Sequence, residues 1–219
     1  DGIYNIDRAV DMVDQLTDAL EIDSFFLAGN SMGGYISWNV ALQHPDKVKR
    51  LILLDAAGYP FEKPMLLGLL STPVLKESMA FITPKFIVEQ TLNEVYGDAS
   101  KVSSEAIERY HQLMLREGNR TAVVSVLASL GHMNNEGIKQ LNIPTLIQWG
   151  EKDAWIPLEN AQKFADDIAG SKVITYPGVG HIPMEEIPLQ TAQDAKDFLF
   201  YIIEESQEVE IQRVTPVVL

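Results

Sequence analysis

Apolar residues at Ile6, Ala9, Val10, Val13, Leu16 and Leu20 recur every three or four positions, which puts them on one side of a helix from Ile6 to Leu20. Asp7, Asp11, Asp14 and Asp18 fall on the other side and read as a solvated face rather than a metal site. The period then changes. Phe25 to Ala28 is a short unbroken apolar run of the buried-strand kind. Small and polar residues follow from Gly29 to Gly34, and Tyr35 to Gln43 is helical again, stopping at His44-Pro45. A second strand, Arg50 to Leu54, is broken by Asp55-Ala56-Ala57-Gly58. From about Tyr59 to Gln140 the pattern is helical, punctuated by Pro64, Pro73, Pro84 and Gly118. Strands resume at Thr145–Trp149 and Lys172–Tyr176, with a helix at Asn160–Ile168 between them and another at Leu189–Glu204 afterwards. Alternating strands and helices predict an α/β fold, a mostly parallel sheet with helices on both faces, interrupted by one helical insertion. The end, Gln207 to Leu219, has some strand propensity and no assigned role.

Composition narrows the chemistry. Seventeen Lys and Arg against 31 Asp and Glu give a net charge of −14, which repels a phosphate backbone and argues against nucleic-acid binding. The chain has no cysteine, which removes disulfides, thiol nucleophiles and cysteine-ligated metals together. No apolar run is long enough to span a membrane. Asp1-Gly2-Ile3-Tyr4 is not a signal peptide and the chain lacks an initiator Met, so the compartment stays open, with the cytoplasm as default.

The segment Gly29-Asn30-Ser31-Met32-Gly33-Gly34 sits where a strand passes into a helix. A Gly-x-Ser-x-Gly pattern in that context is a nucleophile elbow: the glycines let strand and helix approach, and the turn exposes the serine at the carboxyl edge of the sheet. Ser31 then needs a base. Of the four histidines, His44 ends a helix, and His111 and His132 lie within the helical insertion. His181 follows the last strand, in Tyr176-Pro177-Gly178-Val179-Gly180-His181, at the edge where loops of a parallel sheet gather. The base needs an orienting carboxylate. Asp153, after the third strand, is the first candidate; Asp55, after the second, is its rival, and Glu151 reads as a surface partner of Lys152.

The runs FFLAGNSMGGY, HPDKVKRLILLDAAG, IPTLIQWGEKDAWIP and YPGVGHIPMEEIP resemble, in order, the landmarks of the α/β-hydrolase superfamily over nearly the whole chain. The resemblance implies Ser31 as nucleophile, Asp153 as acid, His181 as base and the backbone N–H of Met32 as an oxyanion-hole donor, with no cofactor and no metal. It divides the chain into hydrolase core (1–58), helical cap (59–140), core again (141–206) and a tail (207–219). Family members usually carry several strands before the elbow, and a His-Gly or Gly-rich loop there supplies a second oxyanion donor. Neither is visible here. The expectation is therefore four parallel strands with an open edge at the elbow strand, completed by a missing N-terminal part or by self-association.

Such a site attacks an acyl carbon, and ester cleavage through an acyl-enzyme is the leading reading, on an apolar small-molecule substrate. Met65 to Leu70, with Pro73, Val74 and Leu75, reads as a cap helix packed on the core or as the lining of an acyl pocket. The elbow also resembles that of carbon–carbon bond hydrolases acting on ring-fission dienones. An acyltransferase, or a noncatalytic binding protein or inactive fragment on the same fold, completes the alternatives.

Overall fold

A computed structural model describes residues 5–60, 83–129, 134–200 and 215–218. Asn5 starts the first helix, α1 (Ile6–Ala19), by accepting the Arg8 N–H on its side chain at 2.9 Å. The buried line is Val10, Val13 and Thr17; Leu16 and Leu20, expected inside, are 50% and 60% exposed. Thr17 tolerates burial because its hydroxyl donates to the Asp14 carbonyl at 2.9 Å. Asp14 and Asp18 are not simply solvated. Both lie 2.6 Å from Lys47 Nζ, and His44 Nδ1 is 3.3 Å from Asp14, so the acidic face fastens α1 to the turn at residues 44–47.

The chain continues through β1 (Phe25–Asn30), α2 (Met32–Gln43) and β2 (Val48–Leu54). Between β2 and the next strand lie α3 (Lys85–Val95), α4 (Ser104–Leu115) and α5 (Asn119–Ser129), with short 3₁₀ turns at Ala99–Lys101 and Ile138–Gln140. Then come β3 (Thr145–Gly150), α6 (Glu159–Asp167), β4 (Lys172–Tyr176), the short α7 (Pro183–Glu186), α8 (Pro188–Phe200) and β5 (Thr215–Val218). Residues 61–82, which include the apolar Met65–Leu75 stretch, and His132 lie outside the described residues.

The sheet order is β4-β3-β2-β1-β5, and every pairing is parallel. Leu51, Leu53, Leu146, Ile147 and Trp149 of the central strands are completely buried because helices cover both faces. One face packs against α1, α2 and α6 through Val10, Val13, Trp38 and Phe164. On the other, Ile52, Leu54 and Leu146 meet Phe198 of α8. Each such side chain stabilises the fold by about 1.5–3 kcal/mol.

The open edge expected at β1 does not hold. β5 pairs with β1 from Phe25 to Ala28, giving five strands among the described residues, and the terminal segment with no assigned role supplies the fifth. Pro216 fits this position because an edge strand can spare one N–H. The outer strand of the described sheet is therefore β5 rather than β1.

Candidate active site

β1 runs straight into α2 through one residue, Ser31, whose φ of 55° and ψ of −118° lie outside the regions an L-residue favours. The surroundings hold it there. Its N–H donates to the Leu54 carbonyl at 3.0 Å, and its carbonyl accepts from Tyr35 at 3.1 Å and Ala57 at 2.9 Å. The turn closes tightly because side chains are absent where helix and strand meet. A Cβ on Gly29 would lie 2.3 Å from the Gly33 carbonyl oxygen, and one on Gly34 would lie 2.4 Å from Ala56 Cβ. The Ser31 side chain makes no capping bond to α2, and Met32 is the first helical residue, where N–H groups lack intrahelical acceptors.

Asp153 and His181 meet across the loops that follow β3 and β4. His181 Nδ1 lies 2.7 Å from Asp153 Oδ2, with 3% and 0% of the two side chains exposed. Asp153 Oδ1 accepts the N–H groups of Trp155 at 2.7 Å and Ile156 at 3.0 Å. With a carboxylate acceptor on the Nδ1 side, a neutral imidazole in this position carries its proton on Nδ1 and leaves the Nε2 lone pair unprotonated. Nε2 is buried and has no hydrogen-bond partner among the described residues, Ser31 included. Trp155 lies against the imidazole, ring centroids 5.4 Å apart.

Several residues without an assigned role hold these loops. Asn30 Nδ2 donates to the carbonyls of Leu54 at 3.1 Å and His181 at 2.9 Å, tying the residue before Ser31 to the histidine itself. The His181 N–H donates to the Val95 carbonyl at 2.7 Å, at the end of α3. Backbone passes against backbone here: a Cβ on Gly180 would lie 2.3 Å from the Val95 carbonyl oxygen and 2.4 Å from the Gly97 nitrogen. The buried Glu186 carboxylate accepts from Gly97 at 2.9 Å, Gly180 at 2.8 Å and Asp98 at 3.1 Å. Beside it, Glu185 accepts from Arg109 at 2.7 Å and from the Tyr110 hydroxyl, so α4 is attached to the same loop. Burial and that carboxylate push the Tyr110 hydroxyl well above its ordinary range. Asn30 stands inside the Gly-rich motif and Glu186 shortly after the Gly-rich histidine loop, which is the only sequence signal either gives.

The other candidates are accounted for. His44 ends α2 beside Asp14, and His111 Nε2 lies 3.0 Å from the Thr83 carbonyl oxygen. Glu151 is exposed and accepts from the Thr175 hydroxyl at 2.8 Å rather than from Lys152. Asp55 is completely buried, with φ 43°, and its Oδ1 accepts the Gly150 N–H at 2.8 Å. Ligand-capable atoms of Asp55, Asp153 and His181 lie within 4.8 Å of one another, the one such trio among the described residues. Most of these atoms are already committed to each other or to backbone N–H groups, so a cation would have to displace those bonds.

Residues 3–188 match the sequence family described as alpha/beta hydrolase fold. The 2-hydroxymuconate semialdehyde hydrolase of Pseudomonas sp. (strain CF600) is 30% identical over 207 residues, covering 91% of this chain and 70% of its own. Lipase 3 of Moraxella sp. (strain TA144) is 30% identical over 200 residues, covering 89% of this chain and 62% of its own. Among solved structures, a meta-cleavage product hydrolase superposes with a TM-score of 0.79 at 22% identity, over 93% of this chain and 73% of that one.

Proposed function

The chain belongs to the alpha/beta hydrolase fold family, and from that membership we propose that it is a serine hydrolase cleaving carboxylic esters through an acyl-enzyme on Ser31. The observation that carries the reading is the buried Asp153–His181 contact at 2.7 Å, with Nε2 unpartnered and the His181 carbonyl tied to Asn30, next to Ser31. Substrate binding draws Ser31 Oγ and His181 Nε2 together, since such bonds are often long before a substrate arrives. Ser31 Oγ attacks the acyl carbon as its proton passes to Nε2. Asp153 orients the ring and stabilises the imidazolium. The Met32 N–H, at the start of α2, donates to the oxyanion. Nε2 then gives its proton to the departing alcohol, and a water activated by the same nitrogen releases the acid.

The segment 59–140 acts in this reading as the cap that selects the substrate, attached to the histidine loop through Glu185 and Glu186. A second reading, carbon–carbon bond hydrolysis of a ring-fission product, is favoured by the 30% identity to a 2-hydroxymuconate semialdehyde hydrolase. A fluorophosphonate probe should label the protein at Ser31, and Ser31→Ala should abolish both labelling and turnover of a short p-nitrophenyl ester. Retention of most esterase activity by folded Ser31→Ala would falsify the nucleophile assignment. Turnover of a ring-fission dienone without any ester turnover would select the second reading.

A further inference from the structure

We propose that Asp55 is a neutral carboxylic acid that donates its proton to the Asp153 carboxylate, a positioning residue that keeps one negative charge, not two, beside His181. The inference rests on the reading of Asp153 and His181 as a working pair, and its basis is the count of donors.

Asp153 is surrounded by groups that stabilise a carboxylate: the N–H groups of Trp155 and Ile156 on Oδ1 and the His181 ring on Oδ2. Asp55 has one such donor, the Gly150 N–H on Oδ1. Its Oδ2 is sealed from water and has no hydrogen-bond partner among the described residues. Two carboxyl groups within 4.8 Å of one another in a dry site cannot both ionise, and the proton settles on the group with fewer donors. That is Asp55, and a proton on Oδ2 turns an acceptor without a partner among the described residues into a donor for the neighbouring Asp153 carboxylate. Burial, then the Asp153 charge, push the Asp55 carboxyl well above the usual carboxylate range, against the pull of the Gly150 N–H. The titratable groups facing it are Asp153 and His181 from the loops after β3 and β4, and Tyr176 of β4, whose hydroxyl donates to Asp194 of α8.

This arrangement has a consequence for the base. Ionised Asp55 would place a second negative charge next to His181, favour its protonated form and withdraw the base. Neutral Asp55 instead donates to the Asp153 carboxylate without adding a charge beside the imidazole. The acid pair would then titrate as a unit.

The test begins with infrared spectroscopy of the wild-type protein at neutral pH. A protonated-carboxyl stretching band that shifts in deuterium oxide is expected, and it should be lost in Asp55→Asn. No such band in the wild type, or a band that survives in Asp55→Asn, overturns the proposal, and the first outcome needs no variant to fold. In parallel, the acid limb of the pH dependence of kcat/KM on a p-nitrophenyl ester should stay within about half a pH unit in folded Asp55→Asn, because an amide then replaces a group that was already neutral. An acid limb that falls by about one unit or more would mean that wild-type Asp55 carries the second charge, and counts against it. The band requires no turnover, so a protein with the band but no hydrolysis would sink the serine-hydrolase reading and leave the proton on Asp55.

Discussion

Glu186→Gln exchanges a single atom yet should be among the most damaging substitutions in the chain. Glu186 Oε2 accepts from Gly97 at 2.9 Å and Gly180 at 2.8 Å; Oε1 accepts from Asp98 at 3.1 Å and Lys101 Nζ at 3.3 Å. Four donors face this side chain and no acceptor does, so only a carboxylate satisfies the site. A glutamine keeps one oxygen for two of them and turns an NH₂ toward the others. One buried N–H is left stranded, at a cost of about 1–3 kcal/mol. Two surviving bonds fall from charge-assisted to neutral strength, each worth about 1 kcal/mol less. Lys101 is 41% exposed and returns to water, so its share stays below about 1 kcal/mol. The sum is about 3–6 kcal/mol, a large part of the stability of an ordinary domain. Urea unfolding should show a lower midpoint at unchanged slope. Because Gly180 precedes His181 and Gly97 follows α3, kcat should fall about tenfold or more in whatever remains folded. Lys101→Ala, the control, should cost under about 1 kcal/mol. A Glu186→Gln protein within about 1 kcal/mol of wild type would refute the donor count.

Three further outcomes follow from the site. Asp153→Asn should lower kcat by about 10⁴-fold through the wrong imidazole tautomer, while folded Asp55→Asn should lose far less; the reverse ranking moves the acid to the end of β2. Asn30→Asp should be worse than Asn30→Ala in thermal unfolding and in turnover, since a carboxylate would face the carbonyls of Leu54 and His181 that the amide now serves. Finally, folded Asp55 holds its proton to higher pH than the unfolded chain, whose value is near 3.8. Its contribution to stability is therefore full below that value and is lost as pH rises toward the folded one, with a slope of at most about 1.4 kcal/mol per pH unit. Asp55→Asn should flatten the decline, and identical slopes in the two proteins would mean that Asp55 ionises normally.

The strands were legible because burial on both faces writes itself as apolar runs, unbroken in Leu51–Leu54 and interrupted in Thr145–Trp149 only by Gln148, whose amide is satisfied by Tyr176 and Thr191. α2 begins at Met32 rather than Tyr35 because glycines mask a helix start: they weaken the local signal where close packing on the strand demands them. The apolar pattern misplaces the rotation of α1 because Thr17 satisfies its hydroxyl within the helix and so packs like an apolar residue. The pairing of β5 was illegible, since four residues carry a propensity but no register. At the site, Ser31 and His181 stand in segments whose glycines announce them. Asp153 and Asp55 both follow strands, and the sequence does not count their donors; the difference lies in the two N–H groups that the Asp153 turn directs at its own side chain. Glu186 and Asn30 are missed for the same reason, because apart from Lys101 their partners are backbone groups.

Those backbone groups also explain why residues far apart in sequence stay in step. The parallel ladder does not stop where the strands do. Ser31 N–H reaches the Leu54 carbonyl, Asp55 N–H reaches that of Gln148, and Glu151 N–H reaches that of Tyr176. Each turn beyond β1, β2 and β3 is thereby one register step past its strand, pinned to the neighbouring one. Two of them, Ser31 and Asp55, are held at positive φ, where an L-residue costs about 1–3 kcal/mol. Neither side chain supplies that energy locally: Ser31 makes no cap bond, and Asp55 is buried at a cost of its own. The strain is sustained by the ladder and by the apolar faces that fix its register. Loosening β2 well away from Ser31, for example by Leu51→Ala at about 2–5 kcal/mol, removes packing from the strand that positions both residues. Activity should therefore fall at temperatures below the global unfolding transition, because the strained turns relax before the sheet dissolves.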